Sequence, residues 1–216
     1  MLGVGVWLAP GHAHAADGDP VYPSQPPARA QAANPVLGFN AKAGLTWGGE
    51  QLLHATYVNG GTSDIEAGGG WFLSLGGELN PIWFGNRLGL GVGLDAGLRH
   101  ANLYIESDGT ASFERWAIMP TLRALVRLGG PLYAVTSGGL QYESRIRLRG
   151  EGLLQGLDAK FDPAVGGLLE EGLLYISEER FGLDISFRYT IMNYTYQSTS
   201  VNGNGAGLFI AAQYFL

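Results

Sequence analysis

The stretch Ala206-Gly207-Leu208-Phe209-Ile210-Ala211-Ala212-Gln213-Tyr214-Phe215-Leu216 alternates strictly between two kinds of side chain. Every second residue counted back from Leu216 is apolar, whereas the positions between them are mixed or small. A period of two residues is that of a β-strand. A strand with one apolar and one mixed face suits lipid on one side and a barrel lumen on the other. The stretch therefore predicts a membrane-spanning β-strand.

This final strand resembles the one on which bacterial outer-membrane β-barrels end. In that family the strand is read by the barrel assembly machinery, and its last residue is usually aromatic. Here Phe215 stands one place before Leu216. The resemblance implies that the assembly signal consists of Leu208, Ile210, Ala212, Tyr214, Phe215 and Leu216.

Seven further segments show an alternation typical of membrane strands, which makes eight with the terminal one. The predicted strands are 37–47, 69–79, 88–99, 113–128, 132–145, 164–176, 183–194 and 206–216. Three of them carry an irregularity. Pro120 lacks a backbone donor, which predicts a bulge or a locally broken ladder. Strand 132–145 has no defined inward face, and Glu170-Glu171 places one carboxylate on the outer face.

The connections alternate in length, and this alternation bears on topology. Long polar connections at 48–68, 100–112, 147–163 and 195–205 follow the odd-numbered strands, and short turns follow the even-numbered ones. Asn59-Gly60-Gly61 predicts a hairpin within the first long connection. Outer-membrane barrels have short periplasmic turns and long extracellular loops. Aromatic residues near strand ends suit interfacial girdles; they are Trp47, Trp71, Trp83, Phe84, Trp116, Tyr189, Tyr194 and Tyr214.

Residues 37–216 thus resemble the small eight-stranded outer-membrane proteins of the OmpA, OmpX or OmpW type. The resemblance implies an all-β fold, an eight-stranded antiparallel up-and-down transmembrane β-barrel in the outer membrane of a Gram-negative bacterium. Closure of such a sheet pairs the backbone groups that lipid leaves without partners. The alternative is a soluble, lipocalin-like barrel. Its wall would have the opposite sidedness, with apolar residues inside and charges outside.

The N-terminal segment precedes the predicted barrel. Residues 1–15 contain an apolar run and the small-x-small sequence Ala13-His14-Ala15, which predicts a signal peptide cut before Ala16, although the basic n-region is missing. Residues 16–36 are rich in proline and predict a periplasmic tether.

Composition excludes several classes of function. The net charge of −6 and the pI of about 5.1 exclude a nucleic-acid partner, because phosphate neutralisation needs clustered Lys and Arg. The chain has no Cys, which excludes disulfides and thiolate metal sites. We expect no cofactor. The expected partners are outer-membrane lipid, including lipopolysaccharide, and the barrel assembly machinery, and we expect a monomer.

The interior of an eight-stranded barrel is filled by side chains. Charged groups there must pair, because an isolated buried charge is costly. The inward charged residues predicted to form this network are Lys42, Glu78, Asp95, Arg99, Arg115, Arg123, Asp184 and Arg188, with one of the two adjacent glutamates. A filled lumen favours a structural or interaction role. The alternative is a narrow channel for small or apolar solutes.

The sequence offers little for catalysis. Barrel enzymes that modify lipid A place His and Ser near the outer rim, and His100 with Glu106 and Ser107 lies at the predicted outer end of the third strand. His54 lies in the first long connection, and there is no His-x-Ser element. We therefore expect no enzyme, with a lipid A-modifying hydrolase or acyltransferase as the less favoured alternative.

Overall fold

The computed structural model describes residues 34–56, 60–105 and 109–216. The predicted signal peptide and most of the tether lie outside the described residues. Within the described ranges there are thirteen β-strands, and no helix is long and apolar enough to cross a membrane. The strands are β1 (Leu37–Trp47), β2 (Gln51–Thr56), β3 (Thr62–Glu66), β4 (Gly70–Phe84), β5 (Leu88–Ile105), β6 (Gly109–Gly129), β7 (Leu132–Gly152), β8 (Asp158–Lys160), β9 (Ala164–Ile176), β10 (Phe181–Ile191), β11 (Asn193–Tyr196), β12 (Thr199–Asn202) and β13 (Gly205–Phe215).

Eight long strands pair antiparallel in one ring. Its order is β1-β4-β5-β6-β7-β9-β10-β13, and β13 pairs again with β1. Short turns at 85–87, 130–131 and 177–180 gather at one end, called the turn end here. The hairpins β2–β3 and β11–β12 gather at the other, called the loop end. The predicted eight-stranded antiparallel barrel is confirmed.

The two faces of the barrel wall differ as lipid outside and a packed lumen inside require. In β6, Leu122 is 71% exposed, whereas Arg115 is 0% exposed. The parity that the sequence predicts for strands one to four, seven and eight is confirmed, with leucine, isoleucine and aromatic side chains outward. This sidedness excludes the soluble, lipocalin-like alternative.

Strands β5, β6 and β7 are much longer than predicted. They have 18, 21 and 21 residues, against 11 in β1. The prediction that 100–112 is a loop is therefore wrong for most of that segment, and 147–152 belongs to β7. The three strands continue above the apolar band, where their outward residues become polar. The outward apolar pattern ends at that point, and inward residues such as Leu103 and Leu148 become apolar instead, while the hydrogen-bonded ladder continues.

Two other predicted boundaries are wrong. The second barrel strand continues to Phe84 across a bulge between Leu79 and Ile82, so the predicted turn 80–86 shrinks to 85–87. The seventh barrel strand ends at Ile191, and the next residues form the separate hairpin β11–β12. The predicted turn Asn59-Gly60-Gly61 falls between β2 and β3. Asn59 lies outside the described residues, and Gly60 has a φ of 82°, in the left-handed region that glycine favours.

The irregular positions are accounted for by local geometry. Pro120 is the register partner of Leu94 in β5. On the other side, residues 119–120 have no register partner in β7, and pairing continues beyond them in the same register. The ladder is therefore locally broken, as predicted. In β7, large apolar side chains occupy both faces. Arg145 has a φ of 53° and lies at a register shift between β7 and β6. The alternation of inward and outward side chains changes phase at this shift. These two features explain why the sequence left this strand without a defined parity.

Two predicted girdle aromatics lie elsewhere. Tyr194 is fully buried in the loop-end core, and Trp83 packs on a buried cluster at the turn end. Outward aromatic residues do mark both ends of the apolar band. They are Trp47, Trp71, Trp116, Tyr142 and Tyr189 towards the loop end, and Phe84, Tyr175, Phe181 and Tyr214 towards the turn end.

Candidate functional site

The lumen collects the buried charges of the described chain. Five cations and five carboxylates are buried, so their formal charges balance. They are Lys42, Arg99, Arg115, Arg123 and Arg188, and Glu78, Asp95, Glu143, Glu170 and Asp184. All eight predicted lumen residues lie in this set. Glu143 was missed, because it is in the strand without a defined parity.

A cluster centred on Glu170 spans the middle of the lumen. Lys42 Nζ donates to Glu170 Oε1 at 2.5 Å, and Arg188 Nε donates to Glu170 Oε2 at 2.6 Å. Ser186 Oγ lies 3.2 Å from Oε1, and Asp95 Oδ2 lies 3.8 Å from Lys42 Nζ. Strands β13 and β10 separate β1 from β9 in the ring, so the Lys42 contact crosses the interior and fills it.

Two phenylalanines border this cluster. Phe72 and Phe209 pack edge to face with ring centroids 5.7 Å apart. The guanidinium carbon of Arg188 lies 4.5 Å from the Phe209 centroid and 5.4 Å from that of Phe72. Cation–π attraction in a desolvated site holds the arginine in place beside its ion pair.

Towards the turn end, a second ion pair is followed by an apolar seal. Arg123 pairs with Glu78, and Asn80 Nδ2 donates to Glu78 Oε1 at 3.1 Å. Below them lies a buried apolar cluster formed by Leu125, Tyr133, Val135, Leu174 and Phe215, with Trp83 and Ile176 packed against it.

Towards the loop end, Glu143 is the hub of a buried network. Its Oε1 accepts from Gln141 Nε2 at 2.6 Å, and its Oε2 accepts from the Tyr194 hydroxyl at 2.6 Å. Arg99 Nη1 lies 3.6 Å from Oε1. Burial, reinforced by the negative charge of Glu143, raises the pKa of Tyr194 to about 12. The phenol therefore stays a neutral donor.

Arg115 departs from the expected carboxylate pairing. Its guanidinium donates to the carbonyl oxygens of Ala67 and Gly69, the latter at 2.5 Å, and to the Tyr194 hydroxyl at 3.2 Å. Its carbon also lies 4.4 Å from the Phe113 ring centroid. Arg115 thus ties the β3–β4 connection to the top of the lumen.

Comparison with known proteins identifies the fold. The structure of Neisserial surface protein A (NspA) superposes with a TM-score of 0.52 at 15% sequence identity, covering 83% of this chain and 97% of that one. This chain has the fold of the small eight-stranded outer-membrane β-barrels. Two other solved structures are Ail, the attachment invasion locus protein of Yersinia pestis (TM-score 0.48, 10% identity, 84% and 100% covered), and outer membrane protein AlkL in DMPC lipid bilayers (TM-score 0.39, 14% identity, 90% and 97% covered). No family model and no curated protein matches the sequence.

The loop end of this outer-membrane barrel has an apolar core of its own. The cluster joins the upper lumen to both hairpins, and it contains Ala55, Ile65, Ala67, Ala101, Leu103, Ala111, Phe113, Ile146, Leu148, Ala159, Ala164, Met192 and Tyr194. Phe161 packs on Phe113 and Tyr194 with centroids 5.5 and 6.3 Å apart. The barrel mouth is therefore covered by a packed cap.

The histidines considered for catalysis lie at the loop end of the barrel. His100 Nδ1 is 3.3 Å from Glu114 Oε1, and its Nε2 contacts Asn102. Glu106 and Ser107, its predicted neighbours, lie outside the described residues. On the β2–β3 hairpin, His54 Nδ1 is 2.5 Å from Asp64 Oδ1, and its Nε2 is 3.2 Å from Thr56 Oγ1. His54 and Asp64 are half-exposed, on a separate hairpin from His100.

The terminal strand of the barrel divides the predicted assembly signal between two faces. Leu208, Ile210, Ala212, Tyr214 and Leu216 are outward and exposed. Phe215 points inward and is buried in the turn-end cluster. The strand pairs with both β1 and β10 through ten register positions each, so it closes the ring.

Proposed function

We propose that this barrel is a closed structural and interaction protein of a Gram-negative outer membrane. The central ion cluster carries the proposal, because the contact between Lys42 and Glu170 crosses the interior. Apolar clusters lie towards both ends of the lumen. An eight-stranded barrel has room for its own side chains and little more, so a lumen filled at successive levels leaves no continuous aqueous path.

Planar-bilayer recording on refolded protein tests this closure, with a porin in the same lipid as the positive control. The proposal expects a flat baseline from the wild-type protein and no swelling of vesicles in small uncharged solutes. Stepwise openings or swelling would instead support the alternative, a narrow channel. Uptake of a fluorescent apolar solute into the same vesicles tests whether such a channel conducts apolar solutes.

The interaction role rests on how the loop end is built. In outer-membrane barrels the long connections face outward from the cell. Here backbone hydrogen bonds join the separate connections: Glu50 N donates to Asn202 O at 2.7 Å, and Asp162 N donates to Thr195 O at 3.0 Å. Together with their shared apolar core, these bonds hold the connections in one arrangement. A rigid outer surface favours recognition of a partner over a mobile lid.

Lipopolysaccharide is the proposed lipid partner of the loop-end rim. Arg145, Arg149 and Lys160 are exposed on β7 and β8, just above Tyr142 of the aromatic rim. Arg147 is held by Asp158 at 2.5 and 2.6 Å, so it is committed within the chain. Cations at this height face lipid phosphates. Replacing all three with Gln should reduce retention of lipopolysaccharide in native mass spectrometry, and Arg147→Gln is the control for loss of one cation. Unchanged retention would refute this contact.

The assembly role of β13 is proposed from its likeness to the terminal strands of outer-membrane barrels. Leu216 gives the cleanest test, because it is exposed, whereas Phe215 also packs in the turn-end cluster. Leu216→Ser should lower insertion into the outer membrane of cells while leaving refolding into lipid vesicles unchanged. Equal insertion of the variant and the wild-type protein would oppose the role.

The less favoured enzymatic alternative is tested separately. Mass spectra of lipid A from cells expressing the wild-type protein and His100→Ala should be identical under our proposal. A mass change that depends on His100 would overturn the non-enzymatic reading.

A further inference from the structure

Within the described barrel strands, one carboxyl side chain lies on the lipid-facing wall between the aromatic rims. Glu171 follows the luminal Glu170 and therefore points outward, where it is exposed. Only every second residue of a strand faces outward. Counted in these outward residues, Glu171 is two from Tyr175 of the turn-end aromatic rim. Its register partner Thr136 is three from Tyr142 of the loop-end rim. Glu171 is thus inside the apolar band. It forms no hydrogen bond or ion pair with the part of the chain that the structure describes.

Glu171 and Thr136 together form a single polar spot. They are register partners in β9 and β7, so their side chains are neighbours on the outer face. Between the aromatic rims, the other outward positions of the eight described barrel strands are apolar, proline or glycine. On the far side of Glu171 stands Phe187.

The wall beside this spot is recessed. The next outward residue on β7 is Gly138, and Gly167 lies two outward positions from Glu171 on β9. A Cβ atom added at either glycine would meet nothing closer than 3.9 Å, so both face open space. A second wall can therefore approach closely here, as small residues allow in membrane interfaces generally.

A carboxyl group in hydrocarbon needs a hydrogen-bonding partner, and acyl chains offer none. We propose that the β7–β9 wall is the interface of a homodimer with its two-fold axis along the membrane normal. In a two-fold interface both protomers present the same residues. If the axis passes beside Thr136 and Glu171, the two threonine hydroxyls and the two carboxyl groups lie next to one another. Each Thr136 hydroxyl then donates to the partner's carboxyl group. This proposal replaces the monomer expected from the sequence.

The absence of native cysteine makes single-cysteine crosslinking a clean test. Gly138→Cys lies in the proposed interface. Gly77→Cys is the matched control, an outward glycine on β4 whose added Cβ would make only ordinary van der Waals contacts, across the ring from the β7–β9 seam. In dilute proteoliposomes under mild oxidation, Gly138→Cys should give a covalent dimer and Gly77→Cys only a background of collisions. Equal yields from the two variants would overturn the proposal.

Substitutions at the polar spot separate a specific contact from mere proximity. Adding Thr136→Val and Glu171→Leu to Gly138→Cys should lower the dimer yield about tenfold, since each membrane hydrogen bond contributes up to about 1.7 kcal/mol. Glu171→Gln, which still accepts a hydroxyl proton, should retain most of the dimer. Single-molecule photobleaching of the cysteine-free protein, labelled at its N-terminus, should show two steps. Three results would each refute the dimer. They are bleaching in one step, a yield of crosslinked dimer that neither substitution changes, and a monomer that carries a bound amine lipid.

Discussion

Arg188 and Glu170 are register partners in β10 and β9, and Nε and Nη2 of the arginine both lie within 2.6 Å of the same carboxylate oxygen, Oε2. The other oxygen, Oε1, is taken by Lys42 at 2.5 Å. Each oxygen of this buried carboxylate thus faces a cation from a different strand. One carboxylate therefore lies between two cations that would otherwise face each other inside the barrel.

Removing that carboxylate should be costly. Glu170→Ala is expected to lower the free energy of unfolding by about 3–5 kcal/mol, because it leaves the buried Arg188 without its ion-pair partner and leaves Lys42 with only Asp95, at 3.8 Å. Urea titration of the protein in lipid vesicles, followed by tryptophan fluorescence, measures the loss. A decrease below about 1 kcal/mol would mean that water reaches the cations, which would also weaken the proposal of a closed lumen.

The adjacent carboxylate should behave in the opposite way. Glu171→Leu removes a charge from the lipid face, so the monomer is expected to keep its stability or gain up to about 1 kcal/mol. The measurement uses a protein-to-lipid ratio at which photobleaching counts one chain per vesicle, so that dimer contacts do not contribute. Destabilisation of the dilute monomer would indicate that Glu171 has a partner within its own chain.

How far the sequence predicts this molecule depends on the environment of each residue. Lipid admits few polar side chains, so the alternation around Leu73 or Ile185 already determines which way those strands face. Above the membrane that constraint ends. In the continuations of β5, β6 and β7 the apolar residues, such as Leu103 and Ile146, face inward and the outward ones are polar. The outward apolar pattern therefore ends there, although the ladders persist. Glu143 was missed because both faces of β7 carry large apolar residues. The contact of Arg115 with two backbone carbonyls depends on how a connection folds back over the lumen, which local spacing does not reveal.

Close packing inside the lumen should make β1 intolerant of a methyl group. At Gly44 an added Cβ would overlap the Phe209 ring and lie 2.6 Å from the Leu208 carbonyl oxygen, which belongs to the paired strand β13. The backbone has no room to yield, so Gly44→Ala is expected to cost about 1–3 kcal/mol. Gly77→Ala is the control, because its Cβ on the outer wall would come no closer than 3.5 Å to any neighbouring atom, an ordinary van der Waals contact. Its effect should stay within about 0.5 kcal/mol, and equal effects of the two variants in the urea assay would contradict the packing argument.

The buried phenol of Tyr194 at the loop end should titrate well above the ordinary range of a tyrosine. The chain has ten tyrosines, and the pKa of Tyr194 is raised to about 12 by burial and by Glu143. Between pH 10 and 12 the unfolded chain has released this proton while the folded protein still holds it. The stabilisation is therefore complete below about pH 10 and is lost as the pH rises through 12. The loss attributable to this group is about 3 kcal/mol.

Absorbance at 295 nm should accordingly show a late phase near pH 12 that Tyr194→Phe removes. Tyr196→Phe, in the same strand β11, is the matched control and should leave that phase in place. Tyr194→Phe also deletes the donor to Glu143 Oε2, so it should lower stability at neutral pH by about 1–3 kcal/mol. In return, its stability should fall less steeply between pH 10 and 12 than that of the wild-type protein. Parallel stability curves for the two proteins over that range would show that water reaches the phenol and the Glu143 network, which would weaken the proposal of a closed lumen.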